Sequence, residues 1–229
     1  MTIQNPEPNP PQGFWVHYAD EEDVTSHLFC GEHHDASAVC PNCNKPLLLF
    51  LELDASDQRL GIPARSYVRV PLYYCWTCDL SQALFAYKLN PQGSIQILKF
   101  RSGSQQKDFP YPDYPHWFPG AQVCLIALSH EEQAAVGVLN SSACIEQILQ
   151  IEEQTPELAR PRHQVGGEPL LLQGWPDHIC PSCGKQAPLL ASIGNDCLDS
   201  RGLAGYDFVQ VLFTFCRECD VVMASNACD

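Results

Sequence analysis

The chain has 229 residues, of which 45% are hydrophobic and 17% are charged, an apolar content typical of folded proteins and not of disordered acidic tails. Its 27 acidic side chains outnumber its 13 basic ones and give a formal net charge of −14. An acidic surface repels phosphate backbones, and no Lys or Arg cluster offsets this charge, so nucleic-acid binding is disfavoured.

The N-terminal segment, residues 1–13, is polar and rich in proline, and we expect it to be flexible. It lacks the basic and apolar regions of a secretory signal. The longest aliphatic runs, such as residues 47–51, are far shorter than the ~18 residues that a membrane helix needs. These observations predict a cytoplasmic protein with no membrane association.

A group of histidines and a cysteine follows in the polar stretch HLFCGEHH, which contains His27, Cys30, His33 and His34. These residue types could form an additional metal cluster. The polar surroundings favour the alternative, a solvated loop.

Eight of the 13 cysteines form four C-x-x-C pairs: Cys40/Cys43, Cys75/Cys78, Cys180/Cys183 and Cys216/Cys219. Two thiolates from one tight turn form a metal knuckle, and a tetrahedral Zn²⁺ ion with four Cys ligands needs two knuckles that face each other. A disulfide framework is disfavoured because cytosolic thiols stay reduced. Redox catalysis is disfavoured because its C-x-x-C motif begins a helix, whereas strands follow Cys43 and Cys183 here. The pattern therefore predicts zinc.

An internal repeat relates the two halves of the chain. When Cys40 is aligned with Cys180, Cys75 aligns with Cys216 after a single one-residue gap. The surrounding sequences also agree, VCPNCNK with ICPSCGK and VRVPLYYCWTCDL with VQVLFTFCRECDV. The repeat predicts which ligands share an ion, so we expect two Zn²⁺ ions per chain, one held by Cys40, Cys43, Cys75 and Cys78 and the other by Cys180, Cys183, Cys216 and Cys219.

The repeat also predicts a fold that is mostly β, α+β at most, a pseudo-two-fold duplicated domain in which each half carries a zinc-ribbon-like site of four cysteines. Apolar and β-branched runs indicate strands at residues 47–53, 67–74, 83–89, 94–101, 122–128, 188–193, 208–215 and 221–225. Apolar residues at helical spacing indicate a helix within residues 131–154, divided near Gly137 or Asn140. An aromatic loop at 108–120 could bind a peptide or ligand, but a lid over the core is the favoured interpretation. We expect a flexible segment at 1–13, a first repeat at 14–129, a helical connector at 130–160 and a second repeat at 161–229, which form one compact unit.

The segment HQVGGEPLLLQG, which begins at His163, is followed by CPSC and an apolar strand, and it resembles the YwqG-like family of uncharacterised bacterial proteins. The resemblance implies a mostly β, pseudo-symmetric fold built from two related halves. A weaker similarity, through the Gly-Gly-x-Pro turn and the Cys pairs, reaches the programmed cell death protein two family, which is associated with chaperoning a ribosomal protein. The first half has the HLFCGEHH stretch, and no Gly-Gly-x-Pro turn, before its knuckle.

Three functions remain open, and the favoured one is a zinc-binding module that binds proteins or acts as a scaffold. Four Cys ligands leave no open position on the metal, so catalysis at zinc is not expected. The acidic chain favours a basic protein partner. An enzyme would use a pocket near His163, Gln173, Asp196 and Asp207, and a nucleic-acid binder would stack bases on Trp76.

Overall fold

The computed structural model describes residues 12–20, 26–63, 67–75, 84–91, 93–100, 116–141, 145–155, 158, 161–194 and 209–228. Within these ranges the strands are β1 Gly13–Tyr18, β2 His27–Phe29, β3 Leu48–Asp54, β4 Arg69–Tyr74, β5 Phe85–Leu89, β6 Ile95–Lys99, β7 Ala121–Ala127, β8 Gln164–Gly166, β9 Leu189–Ile193, β10 Val209–Cys216 and β11 Val221–Cys228. The helices are α1 His130–Asn140 and α2 Ile145–Gln154, with a 3₁₀ turn at Gln58–Leu60.

The described strands form one curled sheet in the order β4-β3-β2-β7-β1-β8-β9-β10-β11-β5-β6. Every neighbouring pair is antiparallel. From the central β7–β1 pair outward, the order is β7-β2-β3-β4 in one direction and β1-β8-β9-β10 in the other. Because the C-x-x-C pairs flank β3–β4 in one half and β9–β10 in the other, the two predicted metal sites lie on opposite sides of the β1–β7 pair.

The curl of the sheet brings its β4 edge against β11. The Tyr74 hydroxyl donates a hydrogen bond to Asn226 Oδ1 at 3.2 Å across this contact. Phe50 on β3 lies near Phe213 on β10, with 6.1 Å between ring centroids, and Tyr74 meets Phe85 edge-on at 6.3 Å. These centroid distances are those of favourable aromatic pairs. One apolar core therefore joins the two halves of the chain.

The predicted strands are confirmed for β3, β4, β5, β6, β7, β9, β10 and β11, the last of which extends beyond its expected end to Cys228. Three further strands, β1, β2 and β8, were not predicted: β2 and β8 have only three residues each, and the six residues of β1 lack the alternation of apolar and polar residues that marks a strand. The solvated-loop interpretation is wrong at residues 27–29, since β2 is paired on both sides and His27 is only 3% exposed.

The helical segment forms as expected but divides at a single point. Helix α1 continues through Gly137 and ends at Asn140, with Ser141 as its C-cap. A capping box begins the helix: Ser129 Oγ accepts from the Glu132 N–H at 3.1 Å, and Glu132 Oε2 accepts from the Ser129 N–H at 2.7 Å. The Trp15 indole donates to Glu132 Oε1 at 2.8 Å, which fastens α1 to β1.

Two further expectations are only partly covered by the described residues. Of the flexible segment expected at 1–13, residues 1–11 lie outside the described ranges, and Gln12 Nε2 donates to the Leu128 carbonyl at 3.0 Å. Of the aromatic loop, residues 108–115 also lie outside. Phe118 at its end is 2% exposed and packs on Phe50 at 5.8 Å between ring centroids, as a residue that covers the core would. The domain boundaries stay a prediction.

Candidate metal centres

The second half of the chain places four cysteine sulfurs together. The Sγ atoms of Cys180, Cys183, Cys216 and Cys219 all lie within 4.8 Å of one another. The Cys183 and Cys216 sulfurs are 3.7 Å apart, well beyond the roughly 2.05 Å of a disulfide bond. The group offers four soft thiolate ligands to one metal ion, in the combination expected from the sequence.

Two tight turns position these four thiols. In the first, the Cys180 N–H donates to the Lys185 carbonyl and the Gly184 N–H donates to the Cys180 carbonyl, both at 2.8 Å. Gly184 has a φ of +73°, which a glycine adopts without strain. In the second, the Cys219 N–H donates to the Cys216 carbonyl at 3.2 Å between β10 and β11. Each turn therefore presents its two cysteines to the same point.

The first half builds a matching turn around Cys40. The Cys40 N–H donates to the Lys45 carbonyl and the Asn44 N–H donates to the Cys40 carbonyl, both at 2.9 Å, and Asn44 has a φ of +58°. Cys75 follows the last residue of β4, and its sulfur is 3.7 Å from that of Cys43. The sulfurs of Cys40, Cys43 and Cys75 lie within 4.8 Å of one another, and Cys78 lies outside the described residues.

The thiols of each group shift one another's pKa. The hydrogen bond with the Cys75 thiol lowers the pKa of Cys40, burial opposes this effect, and the backbone N–H groups of Cys43 and Asn42 add to the lowering. Burial raises the pKa of Cys219 to about 12, and the neighbouring Cys183 and Cys216 thiols add to this effect. Thiolates packed so closely repel one another, so they ionise together only when a positive ion lies among them.

The histidines and the cysteine of the HLFCGEHH stretch do not converge on a shared point. His27 Nδ1 accepts from the Asp54 N–H and its Nε2 donates to Asp57 Oδ2, both at 3.1 Å, so His27 ties β2 to the 3₁₀ turn. The buried Cys30 thiol donates to the Phe50 carbonyl at 3.7 Å. In the described ranges, the two cysteine groups are the only sets of three or more Cys, His, Asp or Glu side chains close enough to share an ion.

The HLFCGEHH stretch nevertheless has a structural role, which was not predicted from the sequence. HLFCGE from His27 and HQVGGE from His163 share the pattern H-x-x-x-G-E. Both contain two successive residues with positive φ: Cys30 at +53° and Gly31 at +103°, and Gly166 and Gly167 both at +63°. The shared His and Gly-Glu could have revealed this match. It is hard to see in the sequence because the two segments do not line up when the C-x-x-C pairs of the two halves are aligned.

Both turns bring two glycines into close contact. A Cβ added to Gly120, just before β7, would lie 2.9 Å from Gly31 Cα, and one added to Gly167 would lie 2.6 Å from the Cα of Gly13 in β1. Side chains cannot occupy such gaps between two backbones. The Gly-Gly-x-Pro segment is thus a structural turn that lets β8 approach β1, and HLFCGE does the same for β2 and β7.

The residues suggested for an enzyme pocket are not assembled into one site by the described residues. His163 is 4% exposed, and its ring packs against Phe29 at 4.6 Å. Gln173 lines a cavity of about 440 Å³ with Trp175 and His178, and His163 is not among the described lining residues of that cavity. Asp196 and Asp207 lie outside the described residues, as does Trp76, the base-stacking candidate.

His178 also proves to be structural. Its Nδ1 lies 2.9 Å from Thr214 Oγ1 and its Nε2 lies 2.8 Å from Ser225 Oγ. Burial lowers the pKa of His178 to about 4, so the ring is neutral at pH 7. With both nitrogens hydrogen-bonded, His178 fastens the Cys180 turn to β10 and β11 and is not a metal ligand.

Comparison with known protein families and with curated proteins finds no match for this chain. None of the helices in the described part of the chain has the length and apolar character that crossing a bilayer requires.

Proposed function

We propose that the protein is a binding module stabilised by zinc. Two sites of four cysteines each hold one structural Zn²⁺ ion, and an acidic surface binds a basic protein. The proposal rests on the convergence of Cys180, Cys183, Cys216 and Cys219. The first site would use Cys40, Cys43, Cys75 and Cys78. Such thiolates need a reducing compartment, which supports a cytoplasmic location.

The spacing of the sulfur atoms fits zinc. With a Zn–S bond of about 2.3 Å, the corners of a tetrahedron are about 3.8 Å apart. The observed separations, 3.7 Å for Cys183–Cys216 and 3.7 Å for Cys43–Cys75, match this edge. A Zn²⁺ ion with four Cys ligands has no position for water or substrate, so its contribution is to folding and not to catalysis.

We also propose that the chain is a tandem duplication, with the fold of the YwqG-like family. The equivalent strand orders on either side of β1–β7, the paired turns at Cys40 and Cys180, and the two H-x-x-x-G-E segments support this reading. The two halves differ at one strand. In the second half β11 pairs with β10, but its counterpart in the first half, β5, pairs with β11 and not with β4. The weaker similarity to the programmed cell death protein two family supports a basic partner, because that family is associated with chaperoning a ribosomal protein.

Charge supports the choice of partner. The polypeptide has a formal charge of −14, and each Zn²⁺ bound by four thiolates adds −2, so the filled protein is near −18. Protein surfaces of opposite charge attract, and the attraction decreases as salt screens it. A basic protein, such as one that binds nucleic acid after assembly, is therefore the partner we propose.

Metal analysis tests the zinc sites. Protein purified without chelator should contain two zinc ions per chain by plasma mass spectrometry, because each half supplies one set of four thiolates. A zinc content near zero, or another metal at that stoichiometry, would contradict the proposal.

Affinity capture tests the partner. With the zinc-loaded protein as bait, the retained proteins should be basic and should elute between about 0.1 and 0.5 M NaCl, where the screening length decreases from about 10 Å to a few ångströms. Retained proteins that are neutral, or that stay bound throughout this salt range, would reject a basic partner.

A further inference from the structure

A cavity of about 550 Å³ lies in the first half, and none of its described lining residues is a cysteine. Its walls come from the chain segment after β2, from β3 and β4, and from the turn before β6. The lining residues include Leu28, His33, Asp35, Glu52, Arg69 and Tyr73. The cavity contains the two histidine-stretch residues, His33 and His34, to which neither the fold nor the metal sites assign a role.

Two hydrogen-bond acceptors in this cavity lack partners. His33 Nε2 lies 2.6 Å from the Leu47 carbonyl, which can only accept, so Nε2 carries a proton and, in the neutral ring, Nδ1 is an acceptor. His33 Nδ1 is buried and has no partner among the described residues. Asp35 Oδ2 is also buried and has no partner among the described residues, whereas Asp35 Oδ1 accepts a hydrogen bond from the Ser37 N–H at 2.8 Å. Buried acceptors normally have donors, so both point to a missing ligand.

Tyr73 provides an independent observation. It is 3% exposed, and its ring lies 4.7 Å from that of His33. Within the described ranges the Tyr73 hydroxyl makes no hydrogen bond, although the backbone N–H of Tyr73 donates to the Tyr87 hydroxyl at 2.8 Å. Burial and the charges of Asp35 and Glu52 raise the pKa of Tyr73, so the hydroxyl stays neutral and can both accept and donate.

The charge of the cavity is negative. Glu32, Asp35 and Glu52 line it, and Arg69 is its one cation among the described lining residues. The Arg69 guanidinium is already engaged, because Nη1 donates to the Ser26 carbonyl and Nε lies 3.7 Å from Glu52 Oε1. A ligand that satisfies these acceptors must therefore donate hydrogen bonds and carry positive charge.

The geometry favours an organic cation over a metal ion. The ligand atoms of His33, Asp35 and Glu52 are not close enough together to form a metal-binding group, and the cavity far exceeds the volume of one ion. Leu28, Leu49 and Pro71 add an apolar wall that suits a chain of methylene groups. An ammonium group on an aliphatic stem matches both parts of the lining.

We propose that this cavity binds the lysine side chain of a basic protein partner, with the ammonium group donating to His33 Nδ1, Asp35 Oδ2 and the Tyr73 hydroxyl. The proposal rests on the partner class proposed above and gives that partner a specific docking point. Non-covalent binding of this kind requires no chemical step.

The test uses fluorescence anisotropy with the zinc-loaded protein and a fluorescein-labelled peptide of six Gly-Lys repeats in 0.1 M NaCl. Asp35→Asn keeps Oδ1 for the Ser37 turn but removes the charge, and we expect about tenfold weaker binding. Tyr73→Phe removes a hydroxyl that has no partner, so we expect several-fold weaker binding with unchanged thermal unfolding. Glu153→Gln, on exposed α2, removes one charge elsewhere and should change binding less than twofold.

Two further probes define the ligand. The same peptide with Nε-acetylated lysines should lose most of its affinity, and putrescine should compete only at concentrations far above that of the peptide. Putrescine binding as tight as the peptide would overturn the assignment in favour of a small free amine. Competition by micromolar MnCl₂ would overturn it in favour of a metal ion.

The outcomes separate this proposal from the proposed function. If the peptide binds in a salt-dependent way but Asp35→Asn and Tyr73→Phe bind like the wild type, or if Glu153→Gln weakens binding equally, the cavity is not the docking point and the basic partner stands. If the wild-type protein does not bind the peptide at all, both the cavity and the partner class are rejected. The zinc content is decided separately by metal analysis.

Discussion

Replacing Cys216 with serine should lower the zinc content from two ions to one per chain and destabilise the protein by several kcal/mol. Cys216 is 6% exposed at the end of β10, which pairs with both β9 and β11. A structural zinc site is assembled on folding, so its binding free energy is part of the folding free energy. Metal analysis and denaturant unfolding measure the two effects.

Cys124→Ser is the matched control because Cys124 lies on β7, outside both cysteine groups. It should keep both zinc ions and change the stability by about 1 kcal/mol or less. If Cys216→Ser does not fold, Cys183→Ser replaces a more exposed ligand and should also give one ion per chain. Two ions in either folded ligand variant would show that these thiols do not hold zinc.

Gly167→Ala should cost about 3 kcal/mol of stability, close to the upper end of ordinary point mutations. Gly167 has a φ of +63°, and an added Cβ would lie 2.6 Å from Gly13 Cα and 2.9 Å from Gly13 N. Both obstacles are backbone atoms, which cannot move aside as a flexible side chain could. The substitution would push β8 away from β1 at the centre of the sheet. Urea unfolding monitored by circular dichroism measures the cost.

Two control substitutions at other glycines distinguish backbone strain from steric contact as the cause of the stability lost in Gly167→Ala. Gly93 has a φ of +82° but open space around its Cα, so Gly93→Ala reports the backbone strain alone, about 1 kcal/mol. Gly120 meets Gly31 Cα at 2.9 Å from its added Cβ, so Gly120→Ala tests the close approach in the first half. A cost for Gly167→Ala no larger than that for Gly93→Ala would mean that the β1–β8 contact relaxes without penalty.

The long strands and the cysteine spacing could be predicted from sequence because each is encoded locally. Strands β3, β9 and β10 are rich in apolar residues and are buried on both faces along most of their length, and a C-x-x-C pair within one turn leaves few geometries for its thiols. The internal repeat then predicted which pairs would meet, and the structure brings Cys180 and Cys183 to Cys216 and Cys219.

The short strands could not be predicted because distant partners determine them. Strand β2 has three residues and is held by β3 on one side and on the other by β7, which comes much later in the chain. His27 has a polar side chain, yet bonds to Asp54 and Asp57 satisfy both ring nitrogens within the fold. Sequence alone suggested a metal cluster or a loop because these partners are known only once the sheet has formed.

The pairing of β5 with β11 couples the unfolding of the two halves of the chain. Strand β5 belongs to the first half by sequence, but it hydrogen-bonds to the last strand of the second half, and β6 is attached through it. Separating the two halves would break this pairing as well as the β1–β8 ladder. We therefore expect the two halves to unfold together, and loss of either proposed zinc ion should destabilise the whole sheet.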